Sequence, residues 1–313
     1  MSSAAPSIPA SEPAHDVAAV FLGTPSLGNQ ATGYPTLACP VVALEHPGDD
    51  AEAHARLVAS IRHEELEGIR TGSLASVHSW ELVTAVDGPG TRMTLFLNGC
   101  PLRCQYCQNP DTWRLRDGKL TRIDEVMDRV HHYREVFEAT GGGLTISGGE
   151  PLMQPAFVRR VFAECRAAGI HTALDTSGFL GRKASDQLLE NTDLVLLDVK
   201  SGIPETYHEV TGGELAPTIA FGDRLDEAGV AVWIRFVLVP GLTDAPDNVE
   251  AVAKIVARWG NVERVEVLPF HQMGKSKWER LGLPYRLRDV QPPDEGLQDR
   301  VREQFRSHGL TVY

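Results

Sequence analysis

From Val77 to the C-terminus, short apolar runs alternate with stretches of helical periodicity. Runs at 93–97, 143–147, 171–175, 194–198, 230–239 and 265–268 read as buried strands, and 123–138, 156–168, 184–190 and 248–259 read as amphipathic helices. Six strand-helix units predict an α/β fold whose parallel sheet stays open or closes into a barrel. Either way, ligands sit beyond the C-terminal ends of the strands. The chemically unusual residues fall there. Three cysteines follow the first run and Gly148-Gly149-Glu150 the second; Asp175-Thr176 end the third, Asp198-Val199-Lys200 the fourth, and His271 follows the sixth. Arg235 lies within the fifth run, and a cation in an apolar strand needs a carboxylate partner, from the protein or a ligand.

Ahead of this repeat the pattern changes, so residues 1–75 are assigned to an N-terminal extension and 76–313 to a catalytic domain. Up to about Tyr34 the chain is rich in Ala, Ser, Pro and Gly, the composition of a poorly ordered tail. Between Asp49 and Glu67 the spacing turns helical, with Val58, Ile61 and Leu66 on one face, which predicts a helix docked on a core. No Lys or Arg occurs between Met1 and Ala55, while six acidic residues there supply half of the net charge of −12. Such a balance argues against binding nucleic acid or anionic membranes. No apolar run nears the roughly 18 residues of a membrane span, and no basic n-region precedes an apolar segment. The expected location is the cytoplasm.

The 313-residue chain has five cysteines, and three lie in Cys100-Pro-Leu-Arg-Cys104-Gln-Tyr-Cys107. C-x3-C-x2-C in a short loop gathers three soft ligands around one object. A structural zinc takes four protein ligands, whereas a cubane held by three cysteines leaves one iron open. The spacing admits both: an iron–sulfur centre, or a zinc-binding module with Cys39 or Cys165 as fourth ligand. Ser147-Gly-Gly-Glu150 fits no nucleophile elbow, and Gly141-Gly-Gly143 fits no dinucleotide fingerprint.

With Tyr106 before its third cysteine, the triad resembles the signature of the radical S-adenosylmethionine (SAM) enzymes. That resemblance implies a partial (β/α)6 barrel and a 4Fe-4S cluster on Cys100, Cys104 and Cys107, whose open iron is chelated by SAM. It implies further that one electron cleaves SAM to methionine and a 5'-deoxyadenosyl radical. Longer stretches narrow the likeness: Val86-Asp-Gly-Pro-Gly-Thr-Arg92, Cys107-Gln-Asn-Pro-Asp-Thr-Trp113, Leu174-Asp-Thr-Ser-Gly-Phe179, Leu197-Asp-Val-Lys200 and Val267-Leu-Pro-Phe-His-Gln-Met-Gly-Lys-Ser-Lys-Trp278. Over about residues 77–313 these are similar to the glycyl-radical-enzyme activases of the formate-lyase type.

The likeness implies that Tyr106, Cys107, Gln108, Gly148, Gly149, Glu150, Asp198, Val199, Lys200 and His271 border SAM. It implies a monovalent cation at Asp175, Thr176, Asp198 and the carbonyl of Leu196. Asp87 would face the target glycine, with Arg235 as a catalytic or carboxylate-pairing residue. Pyruvate formate-lyase is the implied partner, and reduced flavodoxin or ferredoxin the electron donor to a monomer. Gln108 departs from the pattern, because relatives carry His beside the third cysteine. No cysteine lies between Cys107 and Gly148, so a single cluster is expected. Arg92, Arg103, Arg114, Arg116 and Lys119 flank the loop and are expected to receive the acidic electron carrier or the partner's loop.

Overall fold

A computed structural model describes residues 49–84 and 86–313. The chain divides into two units, Met1–His54 and Ala55–Tyr313. Of the first unit only residues 49–54 are described, so the predicted tail and Cys39 lie outside the described residues.

The described strands are β1 (Leu74–Thr84), β2 (Arg92–Leu97), β3 (Lys119–Arg122), β4 (Gly143–Gly148), β5 (His171–Thr176), β6 (Leu194–Asp198), β7 (Ala231–Leu238) and β8 (Val262–Pro269). They form one sheet in the order β3-β1-β2-β4-β5-β6-β7-β8. From β2 to β8 every pairing is parallel, while β1 and β3 add antiparallel to the β2 side. The six parallel strands are the six predicted runs. The sheet does not close: β3 ends one edge and β8 the other. The C-terminal segment bonds to β8 at Val265 and Val267, and Pro269 at the strand's end has no amide hydrogen to offer. This is the open, partial form of the barrel.

The helices are α1 (Asp49–Thr71), α2 (Ile123–His132), α3 (Arg134–Thr140), α4 (Pro155–Ala167), α5 (Asp186–Glu190), α6 (Pro204–Thr211), α7 (Ala216–Ala228), α8 (Pro246–Val256), α9 (Lys275–Arg280) and α10 (Glu295–Arg306). The single helix expected over 123–138 breaks at Tyr133, which caps both α2 and α3. The docked stripe on α1 needs correction. Ile61 and Leu66 are 46% and 67% exposed. Near its C-terminal end the helix packs closely on its neighbours: a Cβ at Gly68 would strike Leu74, and one at Gly72 the backbone of Ala156. Among the described residues no helix is long and apolar enough to cross a membrane.

Alternation along each strand sorts the sheet into two faces. Outward residues such as Leu95, Ile146, Leu174, Val195, Leu197, Ile234 and Phe236 join the buried faces of the helices in the main core. Inward residues form layers. Ala173, Leu194, Leu196 and Trp233 make a small apolar floor toward the N-terminal strand ends. Two residues further along the same strands come Asp175, Asp198 and Arg235, which line the cavity.

Candidate active site

At the C-terminal mouth of the sheet lies a cavity of about 710 Å³. Cys100, Cys104 and Cys107 line it together with Tyr106, Gln108, Gly148, Gly149, Asp175, Thr176, Asp198, Lys200, Arg235, His271 and Asp87. The structure thus brings most of the predicted site residues to one place. Three do not line it: Glu150, Val199 and Leu196 are buried in the fold.

The cysteine loop is sutured to three parts of the chain. Its start is tied to the segment before β3, where Gly99 and Cys100 donate to the carbonyls of Thr112 and Trp113 at 2.7 and 3.1 Å. Its middle rests on α6, since the amides of Arg103 and Gln105 donate to Thr211 and Val210 at 2.7 and 2.9 Å. Its end is held by the segment around α9. Trp278 Nε1 donates to the Cys107 carbonyl at 2.8 Å, Lys277 Nζ donates to Asn109 Oδ1 at 2.7 Å, and Gln108 Nε2 lies 2.8 Å from His271 Nε2. A Cβ at Gly274 would come within 2.9 Å of Cys107 O and Gln108 Cα. The spacing of His271, Gly274, Lys277 and Trp278 is therefore that of a latch on residues 107–109. His271 supplies the imidazole beside Gln108 from elsewhere in the chain, and burial holds its pKa below the usual value.

Packing within the protein also calls for glycine at Gly148 and Gly149. Gly148 has φ +125°, and a Cβ there would meet Leu97 backbone; at Gly149 it would meet Gly99 O at 2.5 Å and Cys100 Cβ at 3.1 Å. The close approach is between the end of β4 and the cysteine loop itself. Glu150 is held within the fold. Its buried carboxylate accepts from Leu152 N, Ser177 N, Ser177 Oγ and Thr176 Oγ1 at 2.6–3.1 Å, which leaves its oxygens committed to the β5 end. Burial raises its pKa.

The charged layer beneath the loop is internally paired. Arg235 lies 3.6 Å from Asp87, 3.3 Å from Asp175 and 3.9 Å from Glu266, and Lys200 lies 2.8 Å from Asp198. Arg235 thus has protein carboxylates as partners. Burial alone would lower its pKa, but Asp175, Asp198 and Asp87 raise it further. Asp175 is pushed up to about 6 by burial against the pull of Arg235. Among the oxygens predicted for a cation, Asp175 accepts from Ser147 Oγ, Thr176 donates to Glu150, and Asp198 pairs with Lys200. Glu266 and Ser147 were legible as polar residues inside apolar runs, the signal that flagged Arg235. Trp113, Lys277 and Trp278 lie inside the quoted motifs but carry no separate chemical signal in sequence.

The residues fit a soft metal centre. Three thiols of one loop line one cavity, and burial raises all of them, Cys107 to about 12, so a bound cation is needed to hold them as thiolates. Among the described residues no three His, Cys, Asp or Glu groups close around the volume of a single ion. Cys165, the alternative fourth zinc ligand, sits in the main core on α4 and not at this cavity. Two buried polar atoms lining the cavity, Tyr106 Oη and Arg235 Nε, have no hydrogen-bond partner. One element of the proposed basic surface is corrected: Arg92 is fully buried, donating to Thr145 Oγ1, Leu144 O and Pro89 O, while Arg103, Arg114, Arg116 and Lys119 are exposed.

Residues 94–263 match the family model of the Radical SAM superfamily. Over 241 residues the chain is 42% identical to a pyruvate formate-lyase 1-activating enzyme of Escherichia coli (strain K12), covering 76% of this chain and 98% of that protein. It is 41% identical over 230 residues to a pyruvate formate-lyase-activating enzyme of Clostridium pasteurianum, covering 74% and 96%. A radical SAM methyltransferase from Sphaerobacter thermophilus, of solved structure, shares the fold at 17% identity with a TM-score of 0.50 over 76% of each chain. On this identity and coverage, the chain belongs to the radical SAM superfamily and, within it, to the family of the pyruvate formate-lyase activating enzymes.

Proposed function

We propose that this protein is a glycyl-radical-enzyme activase whose target is a backbone glycine of pyruvate formate-lyase. The observation that carries the reading is the convergence of Cys100, Cys104 and Cys107 on one cavity at the C-terminal mouth of an open parallel sheet. In this reading those cysteines hold a single 4Fe-4S cluster, and cluster and SAM together supply the 5'-deoxyadenosyl radical that removes the glycine hydrogen atom.

The chain's own residues do the positioning. Lys200, 5.5 Å from the Tyr106 ring and paired with Asp198, offers an ammonium to the SAM carboxylate. Gln108 and His271 form a polar pair at the same cavity, and Gly148 and Gly149 hold the end of β4 against the cluster loop. Glu150 acts behind them, fixing Thr176 and Ser177. Asp87 is kept at the cavity by Thr94 Oγ1 and by Thr145 Oγ1, which donates to its carbonyl, and there it faces the incoming glycine segment. The exposed Arg103, Arg114 and Arg116 receive an acidic one-electron carrier, flavodoxin or ferredoxin, in the cytoplasm.

The test is SAM cleavage by anaerobically reconstituted protein under low-potential reductant, with and without pyruvate formate-lyase. Cleavage coupled to radical formation on the partner is the expected result. Cleavage that the partner leaves unchanged would redirect the assignment to another glycyl radical enzyme or a small molecule. Reversal of Arg103 and Arg114 to Glu should slow reduction by the protein carrier but not by a small chemical reductant.

A further inference from the structure

We propose that the segment 275–290 is the docking face through which an acidic one-electron carrier reduces the cluster, with Arg286 and Arg288 as its outer contacts. The inference rests on the iron–sulfur reading of the cysteine loop and gives that reading's electron a point of entry.

The segment covers the cysteine loop with one layer of rings. Trp278 Nε1 donates to the Cys107 carbonyl at 2.8 Å, and the Trp278 ring packs on Tyr285 at 5.4 Å between centroids and 40° between planes. Tyr285 and Leu287 are buried with Cys104 in one apolar cluster, whereas the alternating Arg286 and Arg288 are exposed. Among the described residues neither arginine has a carboxylate partner. Arg280 is exposed beside them in the chain, and Leu281, 44% exposed, adds an apolar contact point. Arg103 extends the face, because its guanidinium lies 4.7 Å over the Trp113 ring and that ring meets Trp278 edge-on at 5.2 Å.

Five cations and two carboxylates fall within 275–290, in a chain of net charge −12. A local excess of this sign steers an acidic partner to the segment. Trp278, Tyr285, Arg286 and Arg288 do not line the cavity, so a carrier seated here leaves the mouth to SAM and the target glycine. One electron leaves the reduced carrier, which is oxidised, and enters the cluster, which is reduced; no bond forms or breaks. Tunnelling falls off steeply with distance, which favours entry where the layer between surface and cluster ligand is thin and packed. The Trp278–Tyr285 layer, hydrogen-bonded to Cys107, meets that condition.

The experiment is stopped-flow reduction of the reconstituted cluster by reduced flavodoxin and, in parallel, reduced ferredoxin, each against dithionite, with iron counted per chain. Wild type is compared with the double variant Arg286→Glu, Arg288→Glu and with a charge-matched control, Arg166→Glu, Arg258→Glu, whose sites shortly precede β5 and β8 in the chain. The first variant should lose at least about tenfold in rate with the protein carrier at low salt, and less as salt rises. Its iron content, its reduction by dithionite and its dithionite-driven SAM cleavage should match wild type. An unchanged rate with the carrier, equal slowing in the control, or an equal loss with dithionite would overturn the proposal. So would wild type that dithionite reduces and neither carrier does. Absence of iron in wild type would instead sink the cluster reading itself.

Discussion

Cys107 is half-buried and Cys165 fully buried, yet desolvation pushes each thiol up to about 12. By that measure they are alike. Cys165 lies on the core face of α4 among apolar residues of the helix layer. Cys107 lines a cavity with two further thiols, two lysines, a histidine and carboxylates. A raised pKa therefore reports burial, and only the company of the group separates a site from a core. The same division runs through the sheet, whose outward residues build the core and whose inward residues end in charge.

The largest contrast to test is between those thiols. Cys100→Ser, Cys104→Ser and Cys107→Ser should each abolish iron binding, read as iron per chain after anaerobic reconstitution. Cys165→Ser should keep full iron but leave a buried hydroxyl without a partner, costing about 1–3 kcal/mol. Thermal unfolding of the iron-free proteins would show the reverse order, with only Cys165→Ser clearly lowered.

Next comes Arg92, a buried cation at the N-terminal start of β2, on the inward side of the sheet and away from the mouth. Arg92→Met strands the carbonyls of Leu144 and Pro89 and the Thr145 hydroxyl. The expected loss is about 3 kcal/mol, a fall in Tm on the order of 10 °C. Its cost in iron content should be small. A matching loss of iron would show that the two ends of the sheet are not independent.

Gly274→Ala probes the latch from the site side. Its Cβ would press on Cys107 O and Gln108 Cα at 2.9 Å, so the loop must move, at a cost of about 1–3 kcal/mol. Incomplete iron loading is expected along with it, a pairing that Arg92→Met should not show.

The smallest effect lies at Asp111, which burial would raise but which Lys277 and His78 hold below the usual carboxylate value. A depressed folded pKa stabilises above the unfolded value and is lost as pH falls through the folded one. Asp111→Asn should therefore cost under about 1 kcal/mol near neutrality and flatten the decline in stability below about pH 4. An unchanged acid limb would show that Lys277 and His78 do not hold the Asp111 carboxyl down.

Much of this was legible in the chain. The six parallel strands carry contiguous apolar runs because both of their faces are covered, and the cysteine spacing marks its own chemistry. Other elements were hidden for identifiable reasons. β1 mixes His78, Ser79 and Glu81 among its apolar residues because it lies beside the open mouth, and on α1 the apolar Ile61 and Leu66 stay largely exposed. The roles of Gly149 and Gly274 are contacts between distant backbone segments, which no local pattern encodes. Likewise the bonds from Thr176 and Ser177 to Glu150 join segments far apart in the chain.

The most direct test is electron paramagnetic resonance of reconstituted, reduced protein mixed anaerobically with SAM and pyruvate formate-lyase. The expected result is a reduced-cluster signal that SAM perturbs, followed by a carbon-centred doublet on the partner. A colourless protein with about one zinc per chain and no cluster signal would contradict the assignment of Cys100, Cys104 and Cys107 to an iron–sulfur centre.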